Sequence, residues 1–273
     1  MKRKWKFFGI YLFFAVLAII CLLPFIIMLL NATQNNADLA TKLRLLPGTN
    51  GVENYKAMAG LIPFWTHIKN SLIMAVPNVL LSAYLGTMAA YGFEKFRFKG
   101  KKALFTLYML LMVIPTQVSL IGLYQVYRKF KILNTSWTII LPGIANIVTV
   151  YWMRGNIYQV VDDALLEAAT IDGCSQIQIF HQIVLPLCKS GIMTISIMNF
   201  VAVWNNYIDP VTYITTNSKQ PISVAIAMMK SFDRVDFGAI YMAIALSTAV
   251  ILIFYLIFNS QIMGGVTEGG IKG

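Results

Sequence analysis

Six apolar runs, at residues 7–30, 71–93, 103–124, 136–153, 191–208 and 237–260, contain no Asp, Glu, Lys, Arg or His. No other feature limits the fold as strongly. Each run is near the roughly 20 residues that a helix needs to cross the hydrocarbon core of a bilayer. At 58% hydrophobic and 12% charged residues over 273 positions, with a mean hydropathy of +0.69, the chain is too apolar for a soluble domain of this size. Lipid therefore replaces water as its main solvent. The expected architecture is an all-α polytopic membrane protein with six transmembrane helices in a single domain, 1–273.

Short basic segments set the expected orientation. Lys2, Arg3, Lys4 and Lys6 precede the first run, and Lys95, Arg97, Lys99, Lys101 and Lys102 follow the second. Both clusters place their segments on the cytoplasmic side. With six spans the N- and C-termini are then cytoplasmic, and so is the interval 154–190. Arg128, Lys129 and Lys131 argue the other way, since they fall outside. The first run is too long for the apolar part of a secretory signal and shows no small-residue cleavage site. Ile20 before Cys21 lacks the small side chain that lipoprotein processing usually needs, so the segment reads as a retained helix. The net charge of +11 requires no nucleic acid, because basic residues beside spans carry topology and meet anionic headgroups.

The interval 154–190 holds Glu167-Ala168-Ala169-Thr170-Ile171-Asp172-Gly173-Cys174-Ser175, followed by Ile183-Val184-Leu185-Pro186. Asp162 or Asp163 suits the cap of a helix beginning at Ala164, and Gly173 suits the left-handed residue that ends it. Ser175 with Gln178 reads as a capping box opening a second helix, which carries Ile177, Phe180 and Val184 at helical spacing until Pro186 breaks it. The expected unit is a helical hairpin turning at Gly173. Ala168 and Ala169 allow close approach of another surface, and Glu167 offers that surface one charge. For Glu-Ala-Ala alone a solvated loop is the plainer reading; the Gly and the Leu-Pro at these spacings favour docking.

These residues resemble the cytoplasmic coupling loop of permease subunits of bacterial ABC importers. The resemblance runs along nearly the whole chain. Asn54-Tyr55, Asn70-Ser71-Leu72, Tyr91-Gly92-Phe93, Phe98-Lys99-Gly100-Lys101, Ile114-Pro115, Leu133-Asn134-Thr135, Trp204-Asn205 and Gly269-Gly270-Ile271-Lys272-Gly273 are similar to the smaller permease of the carbohydrate-uptake branch, the type found in maltose and multiple-sugar transporters. Cys174, Ser190 and Gly270 depart from it, standing where Ala, Pro and Ala are usual. The resemblance implies the type I permease fold with a cytoplasmic coupling-helix hairpin, in a bacterial cytoplasmic (inner) membrane. It implies a permease subunit of an ATP-driven, binding-protein-dependent importer for a sugar or oligosaccharide. A second permease would complete the translocation path as a heterodimer, and two separate ATP-binding subunits would carry ATP-Mg. An extracellular sugar-binding protein would deliver the substrate, and this chain would bind no cofactor itself. Carried onto this sequence, the residues that couple to the ATPase are Glu167, Ala168, Ala169, Asp172, Gly173 and Pro186, with the C-terminal tail as a further contact.

Gly-x-x-x-x-Gly-Lys-Ser/Thr does not occur, so ATP hydrolysis is expected on another chain. Cys21, Cys174 and Cys188 lack metal-ligand spacing, and His67 and His181 are far apart. Asn78, Ser82, Thr116, Gln117, Asn146, Asn199, Asn205 and Asn206 place neutral hydrogen-bonding groups inside the runs, near Tyr84, Tyr151, Trp204 and Tyr207. A neutral polyol suits amides beside aromatic faces, and Asn78, Asn199, Trp204, Asn205 and Tyr207 are the expected substrate-path residues. Intramembrane Asn and Ser also hold helices together, which is the commoner role. An ion-coupled secondary transporter is the alternative function, but it usually needs ionisable groups at depth. A membrane enzyme would need a reactive cluster; Asp162, Asp163, Glu167, Asp172 and His181 form the only dense polar set, and capping with docking explains it more economically.

Overall fold

The computed structural model describes residues 2–41, 45–231 and 235–269, and their side chains except at 2–6, 40, 116 and 259–269. Among the described residues every regular element is a helix. The first, second and sixth apolar runs form long continuous helices, Lys2–Asn31, Phe64–Lys95 and Phe237–Gly269.

The other runs are interrupted, and in two of them the expectation of one helix per run is corrected. The third divides into Lys101–Leu110, a tight turn Leu111–Val113 and Thr116–Lys129. Ile114 is extended at φ −74°, ψ 120°, the conformation that a following proline imposes. Ile114-Pro115 is thus a full break in the helix. The fourth divides into Trp137–Ile140, a tight turn Leu141–Ala145 and Ile147–Val160. Pro142 stands in that turn, and Asn146 then recaps the chain by accepting from the Thr149 amide at 3.0 Å. The fifth begins at Lys189 and runs to Trp204, bent by 76° from the preceding helical segment Gln176–Leu187. By length and composition, three continuous helices and two bent pairs suit a membrane crossing. Composition alone hides these breaks, because the interrupting residues are as apolar as their neighbours.

Contacts divide the chain into two compact units, 1–64 with 225–250 and 65–224 with 251–273. In the first, the chain buries none of the most apolar stretch of its N-terminal helix; that surface is left to lipid or another chain. The following loop is stitched by buried Asn54, whose amide donates to the Ala32 and Gln34 carbonyls at 2.8 Å each.

The second unit is held by a buried polar knot. The Asn199 amide donates to Ser82 Oγ at 3.0 Å and Thr149 Oγ1 at 2.9 Å, and its oxygen accepts from Asn146 Nδ2 at 3.4 Å. Asn78 donates to the Ile139 carbonyl at 2.8 Å. Gly86 and Gly143 let these side chains in: a Cβ there would come within 2.6 Å of Thr149 and of the Asn78 amide respectively. Small residues at helix contacts with Asn, Ser and Thr bonding across them are how helices associate without a hydrophobic drive. Away from this knot, His67 Nδ1 donates to the Gln220 carbonyl at 2.8 Å, and Ser71 Oγ accepts from the Ile222 amide at 2.8 Å.

If the knot is structural, Asn199→Ala lowers the unfolding free energy of the purified protein by about 1–2 kcal/mol, the sum of a few interhelical bonds worth roughly 0.6 kcal/mol each. Chemical denaturation in detergent measures this, and unchanged stability would contradict the assignment.

Candidate coupling site

The interval after Val160 builds a hairpin from local chemistry. Val161 and Asp162 are extended, and Asp162 Oδ1 accepts from the Ala164 amide at 3.0 Å, capping the helix Asp163–Ile171. The helix ends in a left-handed glycine: Gly173 has φ +81°, and the Cys174 amide reaches back to the Ala169 carbonyl at 3.0 Å. A Cβ on Gly173 would meet nothing, so backbone conformation alone selects glycine there. Ser175 and Gln178 then form the reciprocal capping box, with the Ser175 amide donating to Gln178 Oε1 at 2.8 Å.

Beyond this cap the structure departs from expectation. Pro186 does not break the second helix. The chain widens into a π-turn, Phe180–Val184, and continues as Leu185–Leu187 before turning at Cys188. A wide turn preceding the proline accommodates its missing N–H and its bulk against the carbonyl four residues back.

One face of the hairpin is buried. Ala169, Ile179, Phe180, Val184 and Cys188 pack in one apolar cluster with Val150, Met153 and Ile157 and with Ala90 and Tyr91. Ala169, expected at the docking surface, is 8% exposed and belongs to the chain's own core. Ile177, at helical spacing with Phe180 and Val184, does not share their burial, because Ile179 and Phe180 fill the inner face. Ile171 and Ile177 are 87% and 71% exposed, two bare apolar side chains on either side of the Gly173 turn. Their signal in the sequence is a pair of isoleucines flanking a polar turn.

Glu167, Ala168, Asp172 and Pro186 are also exposed. The Glu167 and Asp172 carboxylates have no cationic partner among the described residues. Asp172 also stands at a helix C-terminus, where the helix dipole disfavours negative charge.

Three residues along the Phe64–Lys95 helix grip the hairpin. The Tyr84 hydroxyl donates to His181 Nε2 at 2.9 Å, because His181 Nδ1 carries the hydrogen that it donates to the Ile177 carbonyl at 2.8 Å. The Tyr91 hydroxyl donates to Gln176 Oε1 at 3.0 Å. Lys95 Nζ donates to the Val161 carbonyl and to Asp163 Oδ1, both at 2.6 Å. Positions 84, 91 and 95 share one helical face. The Lys95 hydrogen bond, and then its charge, hold the Asp163 carboxyl below the usual carboxylate range. A lowered value means the contact is present at neutral pH and is lost only as the pH falls through the folded value. Since Asp163 is exposed, the stronger constraint is the buried Val161 carbonyl. Sequence reading took Lys95 for a topology charge and Tyr84 for a path aromatic; both anchor the hairpin. Arg154 Nε donates to Glu94 Oε2 at 2.7 Å and its guanidinium lies 4.1 Å above the Phe105 ring.

The substrate-path residues do not form one surface. Asn78 and Asn199 are spent in the polar knot, and Trp204 is 2% exposed and stacked on Phe200 at 5.4 Å. Asn205 and Tyr207 are exposed. The Thr116 side chain and residues 270–273 of the tail lie outside the described residues.

The sequence matches the family described as binding-protein-dependent transport system inner membrane component over residues 82–262, and the chain belongs to that family. It is similar to the arabinooligosaccharides transport system permease protein AraQ of Halalkalibacterium halodurans, 26% identical over 95% of this chain and 94% of that protein. It is likewise similar to the diacetylchitobiose uptake system permease protein NgcG of Streptomyces coelicolor, 26% identical over 93% and 85%. Among solved structures, one chain of a bacterial ABC transporter involved in the import of the acidic polysaccharide alginate superposes with a TM-score of 0.79. It is 21% identical and covers 94% of this chain and 97% of that one, which shows the ABC permease fold.

The φ of +81° at Gly173 predicts that Gly173→Val reduces folded yield more than Gly173→Asn, since Asn tolerates the left-handed region and a β-branched residue does not. Equal yields, measured by size-exclusion profile after solubilisation, would show that the turn does not depend on that conformation.

Proposed function

We propose that this chain is one of two permeases of an ATP-driven importer for a sugar or oligosaccharide. The observation that carries the coupling role is the asymmetry of the hairpin. Its inner face is fixed to the chain's own core, while its outer face presents Glu167, Ala168, Asp172, Ile171 and Ile177 without partners among the described residues. Apolar anchors ringed by unpaired charge are what a protein docking surface needs. The carbohydrate class draws support from relatives whose names specify arabinooligosaccharides and diacetylchitobiose.

In this reading a second, non-identical permease completes the path. Two ATP-binding subunits carry ATP-Mg and receive the coupling hairpins on the cytoplasmic side, where both termini also lie. An extracellular sugar-binding protein hands over the substrate. ATP-driven closure of the ATPases pushes each hairpin, and the grip of Tyr84, Tyr91 and Lys95 passes that displacement to the Phe64–Lys95 helix. This chain moves and does not hydrolyse. Asn205 and Tyr207 remain the exposed members of the proposed path.

Reconstitution with the second permease, the ATPase pair and the binding protein tests this. Glu167→Ala lowers both ATPase retention and sugar uptake at normal membrane insertion, since breaking one side of an interfacial ion pair costs about 2–5 kcal/mol. Normal uptake and co-purification of that variant would remove Glu167 from the interface. Concentrative uptake by this chain alone, driven by a proton or sodium gradient, would overturn the importer reading.

A further inference from the structure

A cleft of about 1200 Å³ opens near the hairpin's anchor, where the Lys101–Leu110 helix begins. Phe93, Phe105, Leu107 and Leu110 give it apolar lining, and Lys102 and Arg154 line it as well. The neighbouring charges are unevenly committed. Lys101 Nζ donates to the Glu94 and Phe96 carbonyls at 3.2 and 3.0 Å and so closes the end of the long helix. Arg154 is held through Nε by Glu94 and lies on Phe105, which leaves its two terminal amino groups without a partner among the described residues. Lys102 is exposed and pairs with no carboxylate among them. No acidic residue lines the cleft among the described residues, and Glu94, which pairs with Arg154, lies outside that lining.

A cavity lined by both cationic and aromatic or aliphatic side chains fits an anion joined to a hydrocarbon chain. A free phosphate would leave the apolar wall bare, and a neutral lipid would leave the cations unanswered. We propose that this cleft binds one anionic phospholipid, with its phosphate diester against Lys102 and the free edge of Arg154. One acyl chain lies along Phe105, Leu107 and Leu110. The direction is right for a bilayer, because exposed Leu104, Leu107, Leu110 and Leu111 continue from the cleft along the third apolar run. The inference rests on membership of a membrane-component family and is independent of the transported substrate.

Native mass spectrometry of the full-length chain, titrated with phosphatidylglycerol or phosphatidylcholine, tests the site. One phosphatidylglycerol is retained in preference to phosphatidylcholine. Lys102→Gln lowers that retention about fivefold, the effect of one cation at an anionic lipid surface, whereas Lys129→Gln, which removes the same charge from another exposed position, leaves it unchanged. Leu107→Asn, which alters the wall and no charge, also weakens retention. Equal retention of the two lipids, an equal loss in Lys129→Gln, or displacement of the lipid by an equal concentration of inorganic phosphate would each overturn the proposal. Failure here leaves the importer reading untouched, since uptake and ATPase coupling are not part of the measurement.

Discussion

The hairpin keeps its shape only because one of its faces is buried. A nine-residue helix and a four-residue helical start, Asp163–Ile171 and Gln176–Ile179, are too short to hold their shape in water alone, since isolated helices below roughly 12–15 residues are marginal. Ala169, Ile179, Phe180, Val184 and Cys188 bury that face against the Ile147–Val160 helix and the end of Phe64–Lys95. Lys95 then closes the corner at which the chain leaves one helix for the other. Without it the Val161 carbonyl, on a residue 2% exposed, would lose its lysine donor, at a cost of about 1–3 kcal/mol if left unpaired. The outer face is thereby free to carry residues with no role in stability, which is where Glu167, Asp172, Ile171 and Ile177 stand.

The same economy governs polar groups elsewhere in the second unit. Asn199, Ser82, Thr149, Asn146 and Asn78 satisfy one another or nearby carbonyls. Their amides are therefore unavailable to a passing solute in this arrangement. Among the expected path residues, Asn205 and Tyr207 are the exposed ones, just past the end of the Lys189–Trp204 helix.

What the sequence made legible was local. Caps and turns depend on residues within a few positions of each other, so Asp162, Gly173 and the Ser175–Gln178 box were readable from spacing. The continuous helices were readable from uninterrupted apolar runs. What failed depends on distant partners. Ala169 looks like a contact residue until Val150 and Ile157 are seen against it, and Ile177 looks inward until Ile179 and Phe180 take that face. Lys95 reads as one basic residue among five until the fold brings Val161 and Asp163 to it. The breaks at Pro115 and Pro142-Gly143 were half legible, since proline marks them but hydropathy does not.

The central claim is that the hairpin and the helix ends beneath it move as one body. Hydrogen–deuterium exchange on the purified chain in lipid nanodiscs tests it directly, by comparing amides 167–171 of the coupling helix with those of the Ile147–Val160 helix. The account predicts that the two sets exchange at comparable, slow rates. Exchange of the coupling helix at the rate of an open loop, with Ile147–Val160 still protected, would contradict it.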